Sequence, residues 1–343
     1  MRELKLKKVA KIISCGLIVL ALPAWSLNIV LTNDDSWKTE NINVLKRELE
    51  KAGHDVIMST PCTQQSGKGG SFIFLNPVPV DDSRQKQQEY CVGDTDKSKP
   101  FAEFVEGTPV MASLYGIDQL AQKHWGKNPD LLISGPNEGN NLGILNNNSG
   151  TLGATMMAIA KGVPAIAVSA GDDSGRDAGH APVIAAEVLK IIALLEKGRK
   201  KGQPLLPPFT GLNINFPNSI YDLKGYKFTR VGWNPGVEII FSDNLLEDAF
   251  LIEDEASELM RTGQAGTLEE GRKLAQEKYS GKGISFKTSD LGDKSTESEG
   301  YVVEKGYITI STIDASIQAS DAKVEHVKTL FNTLKYRSRF NKK

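Results

Sequence analysis

Histidine and cysteine are scarce in this chain: 343 residues carry 4 histidines and 3 cysteines. The histidines, His54, His124, His180 and His326, are scattered, and neither histidine nor a further cysteine stands at ligand spacing from a cysteine. That excludes a zinc-finger type of site. A lone histidine is usually structural or superficial; His180, in a Gly/Asp-rich loop, is the one with somewhat more prospect of a role. Excess charge of one sign is missing too. Lys+Arg number 41 against 42 Asp+Glu, a net charge of −1, so the overall balance does not advertise a nucleic-acid polymer or an acidic membrane surface as partner. Internal repeats and low-complexity tracts are absent. Runs such as KGRKKG (197–202) read as a solvated helix end.

What is present begins with a tripartite N-terminus. MRELKLKKVAK is basic, IISCGLIVLAL is apolar but short for a bilayer span, and Ala24-Trp25-Ser26 puts small residues where a signal peptidase reads. The pattern predicts a signal peptide over 1–26 and an exported, periplasmic or secreted, chain beginning near Leu27, with no stable membrane association after cleavage. An uncleaved anchor is the alternative. A lipoprotein reading of Cys15 fails because almost no apolar run precedes it. Loss of Arg2, Lys5, Lys7, Lys8, Lys11 and Glu3 leaves the remainder mildly acidic. Cys62 and Cys91 then form an even pair in an oxidising compartment, to be read as a disulfide or as two buried thiols.

Hydrophobic residues make up 40% and glycines number 32, a composition that favours α/β over a helical bundle. LNIVLT (27–32) is a continuous apolar run of strand length, the mark of a strand buried on both faces. ENINVLKRELEKA (40–52) puts Ile42, Leu45 and Leu49 on one helical face before Gly53 ends it, and HDVIMSTP is a second strand. Further strands are expected at LLIS in 129–143, VPAIAVSA, 211–217, 226–233 and 306–312. Helices are expected at 107–123, entered through Gly-Thr-Pro, and at 149–162, 180–197 and 323–337. Residues 72–106 are irregular. The alternation predicts an α/β fold with one doubly wound, mostly parallel Rossmann-like sheet in a single domain over 27–343. Residues 243–300, polar and poorly periodic, form a flap or hairpin excursion, and 313–343 a C-terminal segment. In such sheets ligands bind beyond the carboxyl ends of the strands, and the polar loops 33–37, 63–71, 134–143 and 149–151 all follow or lie just beyond strand ends.

One of those loops, NDDSW, places Asp34 beside Asp35 at the end of an apolar run. Burying two adjacent carboxylates without compensation costs several kcal/mol. A divalent cation would remove that cost, and carboxylates are the hard oxygen ligands that Mg²⁺ and Mn²⁺ take. The alternative is a solvated turn that caps the next helix. Ser66 in QQSG and Asn137 in SGPN supply further hard oxygens, and the SGT start of the helix over 149–162 is a ready anion site. A dication beside an anion cradle is what phosphoester hydrolysis requires.

In these motifs the sequence resembles the SurE family of 5′/3′-nucleotidases and acid phosphatases. The family's NDDG appears as LTNDDSW, its APDxxxSG as STPCTQQSG, and GTP as Gly107-Thr108-Pro109. SGxNxGxNxG appears as SGPNEGNNLG and YSGTVxAAMEG as NSGTLGATMMA. PAxAVS, LNINxP and GYVSIT follow as PAIAVS, LNINFP and GYITIS, in family order. The resemblance implies one divalent cation (Mg²⁺ or Mn²⁺) per subunit held by Asp34, Asp35, Ser66 and Asn137. It implies phosphate bound by Ser149, Gly150 and Thr151, and Asn141 in the substrate pocket. It also implies a small phosphoester as substrate, and a homodimer or homotetramer in which the late hairpin and C-terminal segment are exchanged between subunits.

Some positions depart from the pattern. Ser36 replaces the glycine after NDD, so the turn must tolerate a side chain. The basic residues usual before SG are absent from CTQQSG. ITPL reads ISTI, a downstream histidine is missing, and Glu299 stands where the family has aspartate. The combined reading is an exported phosphomonoesterase in which Asp34 orients or deprotonates the attacking water. The competing reading is an exported protein that binds a nucleotide or phosphate without cleaving it, which would not need the Asp-Asp pair. Trp37 reads as a base-stacking platform or, equally, as a core tryptophan.

Overall fold

The computed structural model describes residues 26–331 except 97, 101, 176 and 262. The predicted signal peptide lies almost wholly outside the described residues, as does the end of the C-terminal helix from 332 onward.

The first strand, β1 (Asn28–Thr32), is buried on both faces because every residue of IVLT is apolar or ends in a short hydroxyl. It leads into α1 (Glu40–Lys51) and β2 (Asp55–Pro61). Strands β3 (Val80–Asp81) and β4 (Glu89–Val92) emerge from the stretch read as irregular, too short to carry a period. Helix α2 (Pro109–Tyr115) has Thr108 as its cap, the hydroxyl accepting from Met111 N–H, and proline in its first turn. It continues through a π-helical turn (Gly116–Ala121) into α3 (Gln122–Trp125). There follow β5 (Leu131–Asn137), α4 (Gly150–Ala160), β6 (Ala165–Ser169), α5 (His180–Gly198), β7 (Thr210–Asn215) and β8 (Tyr226–Thr229). The last of these stops short of 233; Gly232 at φ 76° cannot continue a strand.

The nine-stranded sheet runs β3-β4-β2-β1-β5-β6-β7, then β11 (Ile308–Asp314), then β8. From β4 to β7 neighbours are parallel; β3 and β11 are antiparallel to β4 and β7. The fold is α/β with a mostly parallel mixed sheet. Its two faces follow from the period of the strands. Ile29 and Leu31 pack with Ile42, Leu45 and Leu49 of α1 and Ile184 and Val188 of α5, while Val30 faces Ile117, Ala158 and Ile159.

The excursion expected over 243–300 is a two-stranded arm, β9 (Val237–Ser242) paired antiparallel with β10 (Gly283–Thr288). It carries a helical hairpin, α6 (Ala249–Arg261) and α7 (Leu268–Lys278), which contact each other closely. Ile252, Ala256 and Leu259 of α6 and Ala275 of α7 are buried. Phe241, Ile284 and Phe286 of the arm are exposed. The chain then returns through α8 (Glu299–Glu304) to β11, and ends in α9 (Asp321–Leu330), which buries no residue.

Candidate functional site

The carboxyl ends of β1, β5 and β6 converge on one loop cluster, as expected for a doubly wound sheet. Immediately after β1, Asp34 and Asp35 are 3% and 7% exposed. Burial raises the Asp34 carboxyl above the usual carboxylate range, opposed by hydrogen bonds from Thr151. Asp35 is raised well above it, first by burial and then by the neighbouring charges of Asp34 and Glu138. The turn that presents the pair is locked by Asn33 Nδ2 donating to Ser36 O at 2.8 Å. Ser36, at the family's glycine position, adopts φ +79°.

Thr151 Oγ1 donates to Asp34 Oδ1 at 2.8 Å, which joins the pair to the N-terminus of α4. Ser149 caps that helix, accepting from Leu152 N–H at 3.1 Å. Gly150 is required: a Cβ there would lie 2.8 Å from both Asp34 Cβ and Pro109 Cγ. Asn141 is buried and donates through Nδ2 to Ser169 Oγ at 2.9 Å and to Thr151 Oγ1 at 3.3 Å. Thus Asp34, Thr151 and Asn141 share one hydrogen-bonded cluster, and Ser149 and Gly150 adjoin it at the start of α4.

Asn137 closes β5, and its Nδ2 donates to Gly139 O at 2.8 Å. The next residue, Glu138, donates its N–H to Asp35 Oδ2 at 2.9 Å, so Asn137 is held near the pair. Ser66 stands apart from the buried set. It is exposed and bonded to Gln64, while Gln65 N–H donates to Asp34 O at 2.7 Å and ties the Ser66 loop to the aspartate turn. A disulfide joins Cys62 to Cys91, anchoring the start of this loop to β4.

The donor set suits a hard dication. Two buried carboxylates lie side by side, no cation pairs with either among the described residues, and the Asn137 amide is held close by; the Ser66 hydroxyl lies on the exposed loop tied to the aspartate turn. No cluster of three or more His, Cys, Asp or Glu at ligating geometry occurs among the described residues. Thr32 Oγ1, Asn33 Oδ1, Gln65 Oε1 and Ser134 Oγ are buried without hydrogen-bond partners among the described residues.

Other polar residues at this end carried no assigned role in the sequence. Asn213 and Asn215, two apart on β7 and therefore on one face, both donate to Asn141 O, at 3.1 and 3.0 Å. Glu299 is fully buried, and burial pushes its carboxyl up to about 7 against the pull of its hydrogen-bond donors. The Asn-x-Asn spacing in LNINFP was the available signal for the asparagines; nothing local marked Glu299 beyond its departure from the family aspartate. Trp37, by contrast, is a core residue with the Arg84 guanidinium 4.6 Å above its ring. His180 is buried at the start of α5, 3.6 Å from Asp177, away from the aspartate pair's hydrogen bonds. A cleft of about 560 Å³ is lined by Asn140, Leu142, Asp172, Asn218 and Lys224.

Comparison with known proteins gives a consistent pattern. Residues 29–237 match the family model described as "Survival protein SurE". The chain is 35% identical over 206 residues to an acid phosphatase of Yarrowia lipolytica, covering 55% of this chain and 56% of that protein. It is 34% identical over 206 residues to a 5′-nucleotidase SurE of Thermosipho melanesiensis, covering 60% and 71%. The crystal structure of a SurE protein from Aquifex aeolicus superposes with a TM-score of 0.60 at 24% identity, over 88% of this chain and 98% of that one. At that identity the superposition bears on the fold alone. The family match ends at Val237, where the arm begins.

Proposed function

Because the chain belongs to the SurE family, we propose that it is an exported, metal-dependent phosphomonoesterase acting on nucleoside 5′- and 3′-monophosphates or similar small phosphoesters. The observation that carries this reading is the buried Asp34–Asp35 pair hydrogen-bonded through Thr151 to a helix N-terminus. Negative charge concentrated at one point, with an anion-binding helix end beside it, makes sense where a cation and a phosphate meet.

Asp34, Asp35, Asn137 and Ser66 would hold the divalent cation that the family generally uses. When bound, it supplies charge neutralisation at a phosphoryl oxygen and makes water easier to ionise. The remaining work falls to the chain. The backbone N–H groups of Gly150 and Thr151 lie in the first turn of α4, with the first backbone bond of that turn made by Gly153 N–H to Ser149 O. They bind the phosphate oxygens, and the α4 dipole favours the charge that builds there. Thr151 orients Asp34 by donating to Oδ1. Asp34 orients the attacking water or takes a proton from it. Asn141, fixed by Ser169 and Thr151, lines the substrate side. The Cys62–Cys91 disulfide supports the export reading. The exposed apolar residues of the arm support assembly into a dimer or tetramer.

The test is a phosphate-release screen over nucleoside monophosphates and generic phosphoesters, with and without Mg²⁺ or Mn²⁺. Release that requires the cation and favours nucleotides is the expected result. Binding of nucleotide or phosphate without release would replace hydrolysis by the binding-protein reading.

A further inference from the structure

Glu299 opens α8 just after the arm returns to the sheet, and it is 0% exposed. Its carboxylate is fully engaged. Oε1 accepts from Gly143 N–H at 3.1 Å and Asn146 Nδ2 at 3.2 Å; Oε2 accepts from Asn213 Nδ2 at 3.1 Å and Ser311 Oγ at 2.8 Å. A carboxylate offers about four acceptor positions, so these donors saturate it. They come from separate parts of the fold: the β5–α4 loop, β7 and β11. Asn213 Nδ2 is shared with Asn141 O, and Asn141 in turn reaches Thr151 and Asp34. A continuous hydrogen-bonded path therefore runs from Glu299 to the aspartate pair.

The other end of the path is the foot of the arm. Glu299 N–H donates to Arg230 O at 2.9 Å and Arg230 N–H to Glu297 O at 2.8 Å. Asp293 Oδ2 accepts from Trp233 N–H, Asn234 N–H and Ser298 Oγ, which clamps the two feet together. Trp233 O accepts from Ile144 N–H at 2.8 Å, on the same loop that Glu299 grips.

Resting on the phosphoesterase reading, we propose that Glu299 is a positioning residue. It fixes the β5–α4 loop, and with it Asn141 against Thr151, so that the seating of the arm sets substrate affinity at the phosphate cradle. This set of donors calls for two acceptor oxygens. Glutamine would keep an oxygen toward Gly143 and Asn146, but it would turn an amide NH₂ toward Asn213 Nδ2, leaving two donors face to face.

The experiment measures kcat and KM with p-nitrophenyl phosphate, inorganic phosphate affinity by calorimetry in Mn²⁺, and Tm, on wild type and variants. Glu299→Gln should raise KM and weaken phosphate binding by roughly 10-fold, the effect of one buried donor losing its acceptor. Its kcat should change less than KM. Asn146→Ala, which removes one partner and spares the rest, should move KM in the same direction by less. Should Glu299→Gln fail to fold, Asn146→Ala alone decides. A lowered Tm with KM and phosphate affinity unchanged would make Glu299 a structural residue only and overturn the inference. So would an Asn146→Ala variant identical to wild type. A wild type that binds phosphate but hydrolyses no ester refutes the hydrolase reading alone, because the binding arm still tests Glu299; a wild type that does neither overturns both.

Discussion

Two buried acidic centres lie at the same end of this sheet, and they are built in opposite ways. Glu299 is surrounded by donors from several elements, which saturate both of its oxygens. Asp35 faces two other carboxylates, Asp34 and Glu138, and among the described residues its hydrogen bond comes from a backbone N–H. One centre is complete within the fold; the other repels itself and spares its lone pairs for something else. A charge kept for architecture is provided with donors by the chain, whereas a charge kept for chemistry is left short of them.

The largest effect should come from breaking the uncompensated centre. Asp34→Asn is expected to lower kcat by ~10²-fold or more, the scale of removing one electrostatic stabiliser. The cation-free protein should lose no stability, since the change relieves repulsion with Asp35. The assay is kcat at saturating Mn²⁺ beside a melting curve in chelator. A variant that keeps most of its activity would reduce the pair to a polar turn.

The covalent brace also belongs to the aspartate side. The Cys62–Cys91 link, spanning 29 residues, holds the loop whose Gln65 grips Asp34. Replacing both cysteines by alanine should cost about 3 kcal/mol in the chain-entropy account. Denaturant midpoints measure this, and thiol labelling of unfolded, unreduced protein should find no free cysteine. Two reactive thiols would remove the brace from the comparison.

Glu299 should reveal itself through pH. Its folded-state value of about 7 lies above the ordinary 4.5, so the folded chain holds the proton more tightly than the unfolded chain does. The associated stability is present below 4.5 and is lost as pH rises through about 7, a change on the order of 3 kcal/mol. Wild type should therefore lose Tm across that window more steeply than Glu299→Gln, which has no proton there to lose. Parallel curves would show that the donors hold Glu299 ionised throughout.

The aspartate side of the comparison was legible in the sequence, and the Glu299 side was not. LNIVLT announces a strand buried on both faces, and NDD and SGT follow strand or helix boundaries within a few residues, so motif and element are read together. Glu299 meets Gly143 across 156 positions and Asn213 across 86. No local period encodes such a meeting; it depends on β11 entering the sheet between β7 and β8, antiparallel to the first and parallel to the second, an order that alternation of strands and helices does not specify. In the sequence the arm reads as a polar flap or hairpin excursion, and its two helices, α6 and α7, go unforeseen. Trp37 stayed ambiguous for a related reason: its neighbours in space, Arg84 among them, are distant in the chain.

The smallest expected effect tests whether the aspartate side also stores backbone strain. Ser36 sits at φ +79°, where a side chain costs about 1 kcal/mol relative to glycine. Its hydroxyl returns little, accepting from Lys38 N–H at 3.4 Å, and the stronger bond in the turn, from Asn33 to Ser36 O, uses the backbone and survives substitution. Glycine also frees the unfolded chain, which takes back part of the gain. Ser36→Gly should therefore stabilise by roughly 0.5 kcal/mol, read as a small rise in Tm, with kcat unchanged because no ligand atom moves. A fall in Tm would mean that the serine relaxes the turn, and strain would then drop out of the contrast between the two acidic centres.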